Sequence, residues 1–174
     1  MHRKEKIGIE IERKYIIAMP NLNLLCSSDG YNRSDIVQTY LRSIDGVTRR
    51  VRMRTTDGNS RYYETVKARI DELSSTEVER EIDREEYSEL LKLAREDSTP
   101  IEKVRHLFFY NSQLFEIDVY PNWQNTAIME TELDSRETAV EMPPFIHIIR
   151  EVTGDKRYSN AGMSREFPEE DHLN

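Results

Sequence analysis

The chain reads as α+β and mainly β: a barrel or strongly curved antiparallel sheet with a few flanking helices. Three observations lead there. Apolar and polar residues alternate with period two over most of the chain, the spacing that sends successive side chains to opposite faces of a strand. Turn signals such as Asp45-Gly46 and Asp57-Gly58-Asn59 break these stretches at short intervals. Helical spacing is confined to two segments. The 174 residues suffice for one core, and we read a single domain over residues 1–167 with an acidic tail over 168–174.

Ile7 to Ile17 alternates as a first strand, and Asn21 to Arg33 reads as a polar, irregular connection. Strands follow over Ile36 to Ser43 and, after Asp45-Gly46, over Thr48 to Thr56. The Asp57-Gly58-Asn59 turn leads into Arg61 to Arg69, and Glu77 to Ile82 is a further strand. Asp83 followed by Glu86 has the form of a helix cap with its reciprocal acid. The helix is expected to run to about Arg95 on the spacing of Tyr87, Leu90, Leu91 and Ala94, with Pro100 beyond its end. Lys103 to Tyr110 and Leu114 to Tyr120 form a hairpin across Asn111-Ser112-Gln113, and Ala127 to Leu133 is another strand. Pro143-Pro144 opens a short segment, Phe145 to Val152, expected to be helical and ended by Thr153-Gly154-Asp155. The tail beyond Phe167 is expected to fray.

Composition narrows the function. A net charge of -8 argues against a general nucleic-acid binder while allowing a local basic pocket. The single cysteine, Cys26, rules out an intrachain disulfide and any multi-cysteine zinc site, and is expected as a buried small apolar residue. No apolar run approaches the ~20 residues of a membrane helix, and the charged N-terminus lacks a signal-peptide core. The expectation is a cytoplasmic protein without membrane contact. His2, His106, His147 and His172 show no metal-ligand spacing, and no glycine-rich phosphate loop is present.

The informative pattern is charge that repeats on one face of strand after strand. The same-face sets are Glu10/Glu12/Lys14, Arg50/Arg52/Arg54, Lys67/Arg69, Glu77/Glu79/Glu81, Lys103/Arg105, Glu116/Asp118 and Glu130/Glu132. Any one set alone reads as a solvated face or a surface ion-pair ladder, and Arg50 and Arg69 stay ambiguous on that ground. Glu81 reads as structural and Arg13 as outward-facing. The segregation of basic from acidic strands is what solubility does not require. Like charges about 4 Å apart repel by roughly 4 kcal/mol at an effective dielectric near 20. A bore lined by both clusters is therefore costly when empty and suits a metal-chelated polyanion. Mg²⁺ prefers one or two carboxylates together with substrate phosphates.

On these residues the chain resembles the CYTH-domain proteins, the triphosphate tunnel metalloenzymes. The motifs are Glu10-x-Glu12-x-Lys14, Gln38-Thr39-Tyr40-Leu41, Val51-Arg52-Met53-Arg54, Thr65-Val66-Lys67, Glu77-Val78-Glu79, Glu102-Lys103-Val104-Arg105, Phe115-Glu116-Ile117-Asp118, Glu130-Thr131-Glu132 and the closing run Glu151 to Tyr158. The resemblance implies an antiparallel eight-stranded barrel open as a tunnel that binds a triphosphate and one or two Mg²⁺ or Mn²⁺ ions. Carried onto this chain, it implies metal ligation by Glu10, Glu12, Glu130, Glu132 and Asp118. Glu77 and Glu79 would hold a second metal or orient the basic residues. Arg52, Arg54, Lys67, Lys103 and Arg105 would bind phosphate oxygens, and Lys14 with Tyr40 would form an ammonium–phenol pair near the scissile phosphate. Tyr40 as a packed strand aromatic is the alternative. Arg157 would cap one tunnel end or belong to a flexible loop.

The activity expected first is hydrolysis of inorganic tripolyphosphate to pyrophosphate and phosphate. Adenylate cyclase is second, weakened because the His-Phe pair that cyclase-type relatives often carry is missing from Arg3 to Gly8. Thiamine triphosphate would need an aromatic platform, which Trp123 in a loop does not decide. A silent polyphosphate or nucleotide sensor and a structural β protein are the non-enzymatic alternatives. A homodimer stays open.

Overall fold

The computed structural model describes residues 5–170, with side chains from residue 7. Nine strands form one antiparallel sheet: β1 (Glu5–Ala18), β2 (Asp29–Leu41), β3 (Val47–Thr56), β4 (Asn59–Arg69), β5 (Ser74–Ile82), β6 (Ile101–Tyr110), β7 (Gln113–Val119), β8 (Thr126–Glu132) and β9 (Ile148–Glu151). Short helices α1 (Leu22–Cys26), α2 (Arg84–Leu91) and α3 (Asn160–Met163) flank it.

β1 closes the barrel. Its first half pairs with β5 from Glu5↔Arg80 to Ile11↔Ser74, and its second half pairs with β8 from Glu12↔Glu132 to Ala18↔Thr126. The strand order β5-β4-β3-β2-β6-β7-β8-β1 therefore returns to β5, and eight strands leave no open edge between them. Past Ile11 the other edge of β1 has lost β5. β9 takes that edge through Tyr15↔Glu151 and Ile16↔Arg150.

This pairing corrects the helix expected over Phe145 to Val152. Pro143 accepts a turn hydrogen bond from the Ile146 N–H, and the chain then extends as β9. The unpaired backbone of β1 is the stronger demand, and a short apolar run does not distinguish helix from strand by spacing.

The irregular connection expected over Asn21 to Arg33 is also structured. Asn21 caps α1 by accepting from the Asn23 N–H, Leu25 is buried beneath it, and β2 is already running at Asp29. Gly30 sits at φ +62°, and a Cβ there would meet the Phe109 ring at 2.7 Å. Cys26 is exposed rather than buried, because α1 turns only Leu25 inward. Asp83 caps α2 as expected, accepting from the Glu86 N–H at 2.8 Å. The helix stops at Leu91, and the chain returns to the sheet where the Arg95 N–H donates to the Tyr40 carbonyl. Near the C-terminus, Pro168 accepts from Trp123 Nε1 at 3.0 Å and Glu170 accepts from the Thr126 N–H at 2.8 Å, so this part of the tail is docked. His2, His172 and the last four residues lie outside the described part.

Around its charged bore the barrel turns apolar side chains outward, while Ile16, Ile101, Tyr120 and Ile128, in phase with Lys14, Lys103, Asp118 and Glu130, fill one end of the interior. Tyr15, Ile17, Phe108, Phe115, Ile117 and Met129 point outward from β1, β6, β7 and β8 and are covered by Leu25 and the segment holding Val140, Met142, Phe145 and Ile146. Leu41, Val51 and Ile82 form a second outer patch under Tyr87, Leu90 and Leu91 of α2. A third cluster, of Ile16, Ile101, Tyr120, Trp123, Ile128, Val152, Tyr158 and Met163, packs the C-terminal segment against the barrel. Phe108 is fully buried and stacks on Phe115 with centroids 5.7 Å apart. Phe108→Ala is expected to lower stability to urea by roughly 3–5 kcal/mol. A loss under ~1 kcal/mol would show that the outer wall is not the core.

Candidate active site

The alternation of each strand turns one set of side chains into the bore. Register then sets acids against bases. Lys14 lies opposite Glu130, Lys67 opposite Glu77, Thr65 opposite Glu79 and Arg105 opposite Asp118. Gln38 and Tyr40 lie opposite Arg52 and Arg50. The cavity they line has a volume of about 1100 Å³ and opens to solvent. Its wall includes Glu10, Glu12, Lys14, Tyr40, Arg52, Arg54, Lys67, Glu77, Glu79, Lys103, Arg105, Glu130 and Glu132, so thirteen of the fifteen expected site residues meet there. Arg13 faces outward and bonds Glu151 at 3.2 Å.

Asp118 is set back from the wall. Its Oδ2 accepts from Lys103 Nζ at 2.6 Å and from Arg105 at 2.7 Å, and its Oδ1 accepts from Arg105 Nε at 2.7 Å. Both oxygens are thus engaged by cations. Burial pushes this carboxyl up, but Arg105 and Lys103 outweigh it and hold Asp118 far below the usual range. Burial and the neighbouring Arg105 draw Lys103 down to about 8, and Asp118 opposes them, keeping the ammonium charged at neutral pH. Arg105 also pairs with Glu116 and Glu130. Asp118, expected as a metal ligand, stands here as the anchor of two cations.

Of the two places expected for Arg157, the structure does not give the cap on the tunnel end. Its side chain is 74% exposed, bonded to Asp155 at 2.7 Å, and outside the cavity wall. Lys156, Ser159 and Asn160 line the cavity in its place.

Lys14 Nζ pairs with Glu130 at 2.7 Å and reaches the Tyr158 carbonyl at 3.4 Å. Burial lowers the pKa of this ammonium, but Glu130 and Glu12 outweigh it and raise it above its ordinary value. Burial likewise pushes Glu130 up, and Lys14 with Arg105 and Lys103 brings it down to about 2. The Tyr40 hydroxyl accepts from Gln38 Nε2 at 3.4 Å and is hydrogen-bonded to Arg50, so Tyr40 and Lys14 have different partners. Glu79 accepts from Arg52 at 2.8 Å and from Thr65 at 3.0 Å, while Glu77 lies 3.5 Å from Lys67. These two acids orient the bases beside them.

Two features bear on what the bore can hold. Arg50 Nε and Arg52 Nε are buried without a hydrogen-bond partner, which is costly unless an anion or water meets them. Glu10 is raised by burial and then by Glu77 and Glu132, with Lys67 at 3.3 Å only partly compensating. Among the described residues no three His, Cys, Asp or Glu side chains form a ready metal cluster. The neighbouring hard oxygens of Glu10, Glu77 and Glu132, with Glu12 on the same wall, nonetheless suit a divalent cation. Arg50, Glu116 and Asn160 are wall residues outside the expected set. The first two lie in phase with Arg52 and Asp118, which was the available signal. Asn160 carries none.

Comparison with known proteins follows the same outline. The CYTH domain family matches residues 8–141. An inorganic triphosphatase from Acetivibrio thermocellus is 31% identical over 158 residues, covering 90% of this chain and 94% of the relative. An inorganic triphosphatase from Nitrosomonas europaea is 31% identical over 163 residues, covering 91% and 99%. A crystal structure of an inorganic triphosphatase superposes with a TM-score of 0.59 at 28% identity, covering 92% of this chain and 97% of that one.

The depressed Asp118 and Glu130 carboxyls make stability depend on acid. A carboxyl lowered by folding contributes fully above its unfolded value, about pH 4, and loses that contribution as pH falls toward its folded value. Urea midpoints are expected to hold from about pH 7 to 5 and to fall steeply below about pH 4. A flat profile down to about pH 2 would remove these ion pairs from the account.

Proposed function

This chain belongs to the CYTH domain family, and on that premise we propose that it hydrolyses inorganic tripolyphosphate to pyrophosphate and phosphate with Mg²⁺ or Mn²⁺. The observation that carries the choice of substrate is the cavity wall itself. It is crowded with cations and acids, and Tyr40 is its single aromatic among the described residues. A purine or thiazolium ring would find little to stack on. Trp123 is buried against Tyr120 and Phe167 and offers no platform.

Phosphoryl transfer needs a fixed chain, neutralised charge and an oriented nucleophile. Arg52 and Arg54 on β3 can fork onto phosphate oxygens, and Lys67 on the neighbouring β4 with Lys103 and Arg105 on β6 would add further positive charge. Asp118 holds Lys103 and Arg105 ready before the substrate arrives, so little reorganisation accompanies binding. The Lys14 ammonium stays protonated beside Glu130 and would stabilise charge on the departing phosphate. The Tyr40 hydroxyl would donate to it. Glu10, Glu12, Glu130 and Glu132 would hold the metal, with Glu77 and Glu79 for a second ion or for orientation. A divalent ion held there would supply positive charge to the phosphates and make a water more acidic.

The test offers the purified protein tripolyphosphate, ATP and thiamine triphosphate with either metal and measures phosphate and cyclic AMP. Phosphate released fastest from tripolyphosphate is the expected result, and cyclic AMP from ATP would replace the reading with a cyclase. Glu12→Gln is expected to lower the rate by about 10²-fold or more with the far-ultraviolet spectrum and melting temperature retained. Full activity in that variant would exclude Glu12 from metal binding.

A further inference from the structure

Part of the cavity wall is laid by a stretch that lies past residue 141, where the family match ends. A 3₁₀ turn, Lys156–Tyr158, runs directly into α3, and Ser159 caps α3 by accepting from the Gly162 N–H at 3.0 Å. A Cβ on Gly162 would lie 2.0 Å from the Lys156 carbonyl oxygen, so the two turns close this tightly only around glycine. The closure places Asn160 on the cavity wall.

Asn160 Oδ1 accepts from the Tyr120 hydroxyl at 3.0 Å and from Lys103 Nζ at 3.4 Å. An ammonium carries donors only, so the amide oxygen and not the nitrogen must face Lys103. Both lone pairs of that oxygen are then in use. The side chain has left only the two N–H donors of Nδ2, on the opposite side of the amide. They are neutral donors set beside a wall of cations, and a neutral amide adds hydrogen bonds there without adding to the repulsion among Lys103, Arg105 and Arg52.

We propose that Asn160 is a substrate-binding residue whose Nδ2 donates to a phosphate oxygen of a linear polyphosphate while its Oδ1 holds Lys103 and Tyr120 in position. This rests on the triphosphate reading of the cavity. Asp and Ala separate the two halves of the role. Asn160→Asp keeps the shape and gives Lys103 a stronger acceptor, but replaces both donors by a charge that repels an anion. A residue that merely positioned Lys103 would tolerate Asp better than Ala.

The measurement is calorimetric binding of inorganic tripolyphosphate to the full chain in EDTA, with phosphate release in Mg²⁺ followed in parallel. Asn160→Ala is expected to weaken binding about tenfold, the loss of one hydrogen bond to a charged group. Asn160→Asp is expected to weaken it by at least about tenfold more. Melting temperatures check folding, and Asn160→Ser, with the same tenfold loss expected, replaces Ala if that variant melts below the assay temperature. Asp binding as well as wild type, or Ala or Ser binding unchanged, overturns the proposal. Wild-type binding without turnover would remove the hydrolase reading and leave the order of affinities to decide Asn160. A wild type that binds no tripolyphosphate removes both.

Discussion

The carboxylate of Asp118 holds Lys103 and Arg105 together inside the barrel, and much of the molecule is arranged so that it can. Buried like charges are tolerable only when counter-charges fix them in place. Antiparallel register provides those counter-charges, because β6 and β7 place Arg105 directly opposite Asp118. The same device recurs where β1 meets β8 with Lys14 and Glu130, and where β4 meets β5 with Lys67 and Glu77. β1, β4 and β6 thus each have an acidic neighbour, while Arg52 on β3 reaches Glu79 on β5, and the bore is partly neutralised before any ligand arrives. Two local features stand out: the Nε atoms of Arg50 and Arg52, buried without a hydrogen-bond partner, and the Glu10 carboxyl, raised by burial and by Glu77 and Glu132. A chain of phosphates with a divalent cation complements both at once.

A charged bore displaces much of the apolar core to the outside. Phe108, Phe115 and Met129 look outward and need a cover, which explains why the long loop between β8 and β9 is rich in Val140, Met142, Phe145 and Ile146. α2 does the same over β3 and β5. The C-terminal segment differs in function. It supplies Val152, Tyr158 and Met163 to an apolar cluster and brings the Tyr158 carbonyl and Asn160 up to the two buried lysines. Fold and site are coupled here, because the residues that pack one end of the barrel also set the direction of its ammonium groups.

Most of the barrel and most of the wall were legible in the sequence for one reason. A strand has a strict period of two, so Glu10/Glu12/Lys14 or Arg52/Arg54 declare a shared face without any knowledge of neighbours. The failures have the complementary cause. Phe145 to Val152 became β9 because β1 had an unpaired edge, a fact of topology that no local pattern carries. Asp118 has the parity of a wall residue, yet two cations intercept it before it reaches the cavity. Arg157 turns out to solvent because Asp155, two residues earlier, captures its guanidinium. Asn160 enters the site through a turn geometry that depends on Gly162, and nothing in its spacing marks it.

The central claim is that cations and carboxylates of separate strands converge in one bore to hold a metal-bound triphosphate. A crystal structure with tripolyphosphate and Mn²⁺ tests it most directly, since the metal can be located by its anomalous signal. The account predicts the phosphate chain along the wall that carries Arg52 and Arg54 on β3 and Lys103 and Arg105 on β6, with the manganese peak beside Glu10 and Glu12. Phosphate and metal on the outer surface, with the bore left to water, would contradict it.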